Sequence, residues 1–434
     1  MSQVTPTGTT VAVSATRSAW GNRDFRRLWF GSTVSWFGSQ IGELALPLLA
    51  IVTLRASPGQ LGILRGAQFL PFLLATLPLG VLVDRRRRRS LMIGADAGRF
   101  LLIGVIPAAV WAGLASMELL YGLAFLAGIL TVLYQLADFA LLPRVVDDDQ
   151  LVDGNGRLAA SQAAAETSGK GLGGLIVQAL SAPVGVLVDA VSYLVSALTL
   201  SRLRTAEPPP TPPAEPAKDR SPWRDGWRDA REGLGIVVRN RYLRPLLGEA
   251  TTFNFFNEIF ILGLLLYAVR DLGLNAAQIG LVFTAGGVGS FLGAWFGPRI
   301  TGRFGYGRVL LVTLLLGNTS PVAVVASTDS RAAALAVLTA AFAAMGVGIG
   351  IANVHAVSLR QSATPAHLHG RVNAGYRLIS WGAVPLGASL GGLLAAQLGA
   401  HTATLIGAFG LPLATGWVAA SSIPRLASIH DARV

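Results

Sequence analysis

Glu43, Asp96, Glu166, Asp189 and Glu258 are carboxylates set inside long apolar runs of this chain. In such surroundings an acid needs a counter-ion, a hydrogen-bond partner or a proton to carry. Glu43 has no basic residue within one helical turn. Desolvation there favours its protonated form, as a proton carrier requires, the other reading being a structural hydrogen bond. Glu166 and Lys170 are one turn apart and are expected to neutralise each other, giving a switch if substrate or proton binding breaks the pair. Asp96 and Arg99 have the same relation and read as a structural brace. Asn254, Asn257 and Glu258 share one helical face, interleaved with Phe253, Phe256 and Phe260. An aromatic wall carrying a few polar groups suits a bulky amphipathic ligand, although aromatics can also pack against lipid while amides join helices. Asp189 and Arg377 have no partner nearby in sequence and are expected either to pair across helices or to touch the ligand.

The elements that must hold these groups are transmembrane helices. The chain has 434 residues, 52% hydrophobic and only 13% charged, with mean hydropathy +0.55. A soluble domain carries about 25% charge. Apolar runs long enough to span cover 27–54, 61–83, 90–112, 118–142, 157–181 and 183–203, then 242–268, 276–298, 308–328, 331–356, 369–397 and 402–422. Twelve spans place both chain ends on one side. Of the 35 Lys and Arg residues, 28 fall in the tails and even-numbered loops, three (Arg55, Arg270, Arg331) in the opposite loops, and four (Arg65, Arg99, Lys170, Arg377) in or near span interiors. That bias predicts a cytoplasmic-membrane protein with both termini cytoplasmic. The five consecutive arginines Arg85 to Arg89, between the second and third spans, orient both flanking helices.

Composition also excludes. Without cysteine there is no disulfide, thiolate metal site, iron–sulfur cluster or thiol catalysis. No phosphate-cradling Gly-x-x-x-x-Gly-Lys-Ser/Thr or His-Glu-x-x-His occurs, so neither an enzyme nor a built-in ATP motor is expected. His355, His367, His369, His401 and His430 form no convincing metal set, and no cofactor is expected. The net charge of +12 lies in loops, without an aromatic-basic nucleic-acid module, and reads as topology plus attraction to anionic headgroups. The expected partners are a small-molecule substrate, protons and membrane lipids, with a monomer sufficient and no nucleic acid.

The chain divides into a polar tail (1–26), a first six-helix bundle (27–203), a linker (204–241), a second six-helix bundle (242–422) and a tail (423–434). The linker joins the Pro-rich run 207–216 to an amphipathic helix, with Trp223, Trp227, Leu234 and Val238 on its apolar side, expected to lie on the inner membrane surface. The two halves match at an offset of 218: Gln60-Leu-Gly62 with Gln278-Ile-Gly280, and Arg85 with Arg303. Gly156-Arg157 and Gly370-Arg371 both lead into small-residue runs, 169–174 and 387–392. A six-plus-six parallel repeat is an architecture in which two halves rock about a central cavity.

Gly80, Asp84, Arg85, Arg88 and Arg89 resemble the Gly-x-x-x-Asp-Arg-x-Gly-Arg-Arg pattern of the major facilitator superfamily, with Arg87 where glycine is usual. Phe25-Arg-Arg-Leu-Trp29, Ala95-Asp-Ala-Gly-Arg99 and Gly370-Arg-Val-Asn-Ala374 resemble its branch of macrolide efflux proteins and siderophore exporters. The resemblance implies an all-α membrane protein, twelve transmembrane helices in two pseudo-symmetric six-helix bundles, and proton-coupled efflux of a drug, antibiotic or siderophore. Uptake, lipid translocation and a non-transporting sensor are the alternatives. It further implies a gate in which Asp84 faces the start of span 11 near Arg371, while loop arginines face Asp138 or Asp147 to Asp149. Lys170 stands where drug antiporters often carry a proline after Gly169, which puts the usual bend of span 5 in question.

Overall fold

In the computed structural model residues 18–138, 141–147, 150–204, 222–326, 330–365 and 368–432 are described. The first set of helices is α1 (Arg23–Leu48, continued by a π turn over Leu49–Thr53), α2 (Pro58–Leu74), α3 (Thr76–Arg85), α4 (Arg88–Trp111), α5 (Met117–Asp138), the single turn α6 (Leu142–Val145), α7 (Leu151–Ala179) and α8 (Ala182–Ser201). After α9 (Pro222–Arg239) come α10 (Leu243–Arg270), α11 (Ala276–Phe304), α12 (Tyr306–Thr319, continued by 3-10 turns over Ser320–Ala326), α13 (Arg331–Ser362), α14 (His369–Leu398) and α15 (Ala400–Ala419). There is no strand among the described residues.

Among the described residues, ten helices are long and apolar enough to cross a membrane. The two remaining expected spans differ for identifiable reasons. Span 2 is α2 plus α3, broken at Ala75, because Pro78 has no N–H to donate back to Leu74. Span 5 is α7, which is long but carries Gln162, Glu166, Thr167, Ser168 and Lys170. Despite Lys170 in the proline position, α7 runs unbroken.

The packing repeats itself. α1 lies against α7 and α8, as α10 lies against α14 and α15; α4 packs on α5 and α8, as α12 packs on α13 and α15. α2 lies on α5 as α11 lies on α13. The turns before α2 and α11 match in detail: Arg55 (φ 53°) and Gly273 (φ 61°) are both left-handed. Ala56 donates to the Ala50 carbonyl and Leu274 to that of Ala268, each at 2.8 Å. Ser57–Gln60 and Asn275–Gln278 then form equivalent capping boxes. Every pair is separated by 218 positions. The chain is thus two pseudo-symmetric six-helix bundles.

α9 is not confined to a membrane surface. Val237 is fully buried and, with Leu234, joins the core of the second bundle, while α9 packs on α14, α10 and α3. Gly233 permits this: a Cβ there would lie 1.9 Å from the Arg371 carbonyl oxygen. Trp227 and Val238, expected on the apolar side, are about half exposed. The core stripe is rotated towards positions 234 and 237, because a neighbouring helix and not lipid supplies its partner. The Trp223 side chain, the Pro-rich run and residues 1–17 lie outside the described residues.

Candidate functional site

The two bundles touch through two crossed pairs of helices, α2 with α14 and α7 with α11. Both crossings are tight at the membrane face remote from the chain ends. A Cβ on Gly62 would sit 2.8 Å from the Ala388 carbonyl and 3.1 Å from the Gly392 Cα. A Cβ on Gly174 would sit 2.4 Å from the Ala276 carbonyl and 2.9 Å from the Gly280 Cα. Small residues let helix backbones meet where lipid offers no hydrophobic drive. Gly62 and Gly280 are repeat equivalents, as are Gly174 and Gly392. The structure therefore pairs the repeat crosswise, into two clasps.

Below the clasps, towards the face carrying the chain ends, lies a cavity of about 700 Å³ lined by α1, α2, α7, α10, α11, α13 and α14. A cluster of charges sits in its wall. Arg65 Nε is 3.2 Å from Glu258 Oε2, and Arg65 Nη2 is 3.4 Å from Glu43 Oε1. Lys170 Nζ reaches the same Glu43 oxygen at 3.3 Å. Arg65 thus ties α1 and α2 of the first bundle to α10 of the second. It also lies over the Phe69 ring at 4.8 Å, as Lys170 lies over Phe283 at 5.3 Å.

These contacts correct three expectations. Glu43 is not unpaired; its partners come from other helices, beyond the reach of local spacing. Lys170 turns to Glu43 and not to Glu166. Glu166 instead accepts from Gln162 at 3.0 Å and faces the cavity. Arg65 carries the junction, yet sequence reasoning treated it only as a cation inside a span. Its signal was there, since a buried cation demands a carboxylate.

On α10, Phe253, Asn254, Asn257 and Glu258 line the cavity, with Asn254 donating to the Ser380 carbonyl at 2.7 Å. Phe256 and Phe260 do not. Phe256 fills the space beside Gly410 of α15, and Phe260 is buried against Phe342, ring centres 6.0 Å apart. Positions 253 and 257 are one turn apart on one face, whereas 256 and 260 follow the next face round. The remaining aromatic wall is Phe69, Phe283, Phe291, Phe342 and Trp381, none of which sequence reasoning singled out. Arg377 is exposed over the Trp381 ring at 5.1 Å and does not line the cavity.

Asp96 and Arg99 are buried and bonded to each other, with Arg99 stacked on Tyr134 and Tyr193 at 4.5 and 4.1 Å. Asp189 is buried within the first bundle, away from the inter-bundle cavity. In the arginine loop, Gly80 has open space where a Cβ would stand, so it supports no close helix approach. The side chains of Asp84 and Arg85 lie outside the described residues, as do Asp148, Asp149 and His367. Arg88 is partly buried, with its Nε unbonded. Arg89 caps the end of α8 through the carbonyls of Leu200 (2.9 Å) and Ser201. Arg371 pairs with Glu232 of α9 at 3.0 Å, so the strap helix holds the start of span 11. His355 is bonded to Thr301 and the Ile351 carbonyl, a packing role.

Comparison with known proteins places this geometry. The chain is 26% identical over 385 residues to the uncharacterized MFS-type transporter YfiS of Bacillus subtilis, covering 86% of this chain and 87% of YfiS. It is 24% identical over 238 residues to macrolide efflux protein A of Streptococcus pyogenes, covering 53% and 55%. It thus spans about half the length of that protein, and likewise 55% of the B. subtilis transporter YkuC. Among solved structures, a bacterial homologue of the human lysosomal transporter Spinster, inward-facing and unoccupied, superposes with a TM-score of 0.67 at 16% identity, covering 95% of this chain and 99% of that one. The Major Facilitator Superfamily profile matches residues 28–382 and 250–428, together nearly the whole helical part of the chain. With a charged cavity between two clasped, repeat-related bundles, the chain belongs to the Major Facilitator Superfamily.

Proposed function

We propose that this transporter is a proton-coupled exporter of a bulky amphipathic small molecule, embedded in the cytoplasmic membrane with both termini inside. The observation that carries the reading is Arg65, shared between Glu43 of one bundle and Glu258 of the other at the head of an aromatic cavity. A cavity of about 700 Å³ suits a drug-sized ligand. With the remote clasps shut, the cavity is reached from the face of the chain ends, and the 28 cations of the tails and even loops support a cytoplasmic position for that face. Cargo enters there and meets Phe253, Asn254, Asn257 and the acids. Protonation of Glu258 releases the bond between bundles, and protonation of Glu43 loosens Arg65 and Lys170 within the first bundle. Return of the proton to the cytoplasm restores these contacts. The partial likeness to macrolide efflux protein A supports the outward direction.

The test is expression in a pump-deficient host, followed by accumulation of a macrolide, a lipophilic dye and a siderophore, and then gradient-driven transport in inverted vesicles. Lower accumulation, a dependence on the pH gradient, and loss of that dependence in Glu43→Gln are expected. Raised accumulation overturns the direction. Coupling unchanged in both Glu43→Gln and Glu258→Gln removes the acids from their role.

A further inference from the structure

A second cavity, about 520 Å³, lies between α1, α2, α4, α5, α7 and α8 of the first bundle, bordered on one side by Trp381 of α14. Ser39, Gln68, Tyr134, Asp138 and Asp189 line it, and it shares Glu43, Arg65 and Glu166 with the inter-bundle cavity. The charge cluster is therefore a partition with one side on each cavity. Asp189 stands in the wall of the inner one, only 7% exposed. Its Oδ1 has no hydrogen-bond partner, and no cation among the described residues lies within ion-pair distance. Its Oδ2 lies against Gly42, the residue preceding Glu43: a Cβ there would be 2.2 Å away.

The surrounding groups do not supply a counter-ion. From α4, Arg99 is committed to Asp96 and to the rings of Tyr134 and Tyr193. From α8 itself, the Tyr193 hydroxyl lies between Ser39 of α1, at 3.0 Å, and the Asp189 carboxylate, a neutral neighbour and not a counter-ion. Glu43 of α1 and Asp138 of α5 are further acids, and on α7 Lys170 is committed to Glu43 and Glu166 to Gln162. A buried carboxylate in hydrocarbon without a cation is costly at ~2.5–3.5 kcal/mol on the insertion scale, unless it holds a proton or an ion. The orphaned oxygens of Asp189, Tyr134 and Gln68 are polar partners for water in a cavity large enough to hold it.

We propose that Asp189 is a second proton-carrying carboxylate, and that the cavity inside the first bundle is a proton route separate from the cargo path. A proton leaving the Glu43 carboxylate passes through the hydroxyl and water-filled space beside Ser39 and Tyr193 to the Asp189 carboxylate. Asp189 then gives it up to bulk water at the Asp138 end of α5, on the face of the chain ends, and is free to accept the next. Cargo occupying the inter-bundle cavity does not obstruct this exchange. The inference rests on proton coupling, but its test requires no cargo.

The test uses the full-length protein in lipid bilayers, with pH jumps as the probe and infrared spectroscopy of the protonated-carboxyl carbonyl stretch as the readout. Wild type is expected to show an acid band that Asp189→Asn loses and Glu43→Gln retains. Asp189→Glu should shift the band, and serves if the asparagine variant does not fold. Because the chain has no cysteine, Gln135→Cys in the inner cavity and Asn257→Cys in the outer one can each be capped with a bulky maleimide. Capping at 135 should slow the band's response to a pH jump, and capping at 257 should not. The reverse pattern, an unchanged band in Asp189→Asn, or a band that answers to sodium at constant pH overturns the proposal. Each of these results stands whether or not export is found.

Discussion

Glu258→Gln tests the bond between bundles with little change of shape. Arg65 Nε and Glu258 Oε2 are 3.2 Å apart, with side-chain exposures of 15% and 9%. At an effective dielectric of ~20 the gross attraction is about 5 kcal/mol. Desolvation of both groups offsets much of it. The substitution leaves Arg65 compensated by Glu43 at 3.4 Å, so no orphaned buried charge is created. What is lost is the difference between a charge-assisted and a neutral hydrogen bond, about 1–1.5 kcal/mol. That corresponds to a roughly tenfold shift away from the conformer with the remote clasps shut. The assay places spin labels at Leu114→Cys and Leu398→Cys, exposed by 75% and 52% at the remote face of opposite bundles. Electron–electron distance measurements in bilayers should show a new, longer population in Glu258→Gln. An unchanged distance distribution would refute the argument that Arg65 holds the bundles together in this state.

Other predictions follow from packing and charge. Gly392→Val places side-chain atoms where even a Cβ would be 2.8 Å from the Pro58 carbonyl, so it should open the remote face, seen as faster maleimide labelling of Gln60→Cys. Arg99→Gln leaves Asp96 buried with its charge uncompensated, and a loss of about 3–5 kcal/mol is expected by thermal unfolding in detergent. At the start of α7, outside the hydrocarbon, Asp153 accepts hydrogen bonds from Arg157 and the Ala19 amide, and these hold it below its ordinary value of 3.8. A carboxylate depressed in the folded state stabilises above its unfolded value and loses that contribution as pH falls through the folded one. Hydrogen exchange at residues 18–22 should therefore rise below about pH 3.8 in wild type, while Asp153→Asn exchanges fast throughout.

Much of the architecture was legible in one dimension. Apolar runs set helix number, since a stretch of ~20 residues has no other way to satisfy its backbone in lipid. The offset of 218 marked the repeat in advance, with Gly62 and Gly280 just inside matching capping boxes, but not that these glycines meet Gly392 and Gly174. Asp96 and Arg99 were readable as a pair, and remain one, because their bond lies within a single helical turn. Asn254, Asn257 and Glu258 share a face on the same arithmetic of 3.6 residues per turn, and all line the inter-bundle cavity.

What depended on contacts between helices was not legible. Lys170 has Glu166 one turn away and Glu43 across a helix interface, and only the assembled bundle brings Glu43 to 3.3 Å. Phe253 and Phe256 are chemically identical, but one lines the cavity and the other fills the notch at Gly410. α9 likewise found Val237 a place in the second bundle's core where amphipathicity alone pointed to lipid. Sequence by itself determined the membrane solvent, the helices and their repeat, through local hydrogen bonding and hydropathy. The tertiary structure alone decided which charges meet, since a side chain's partner across an interface depends on helix rotation and crossing, and neither is encoded in the spacing along one chain.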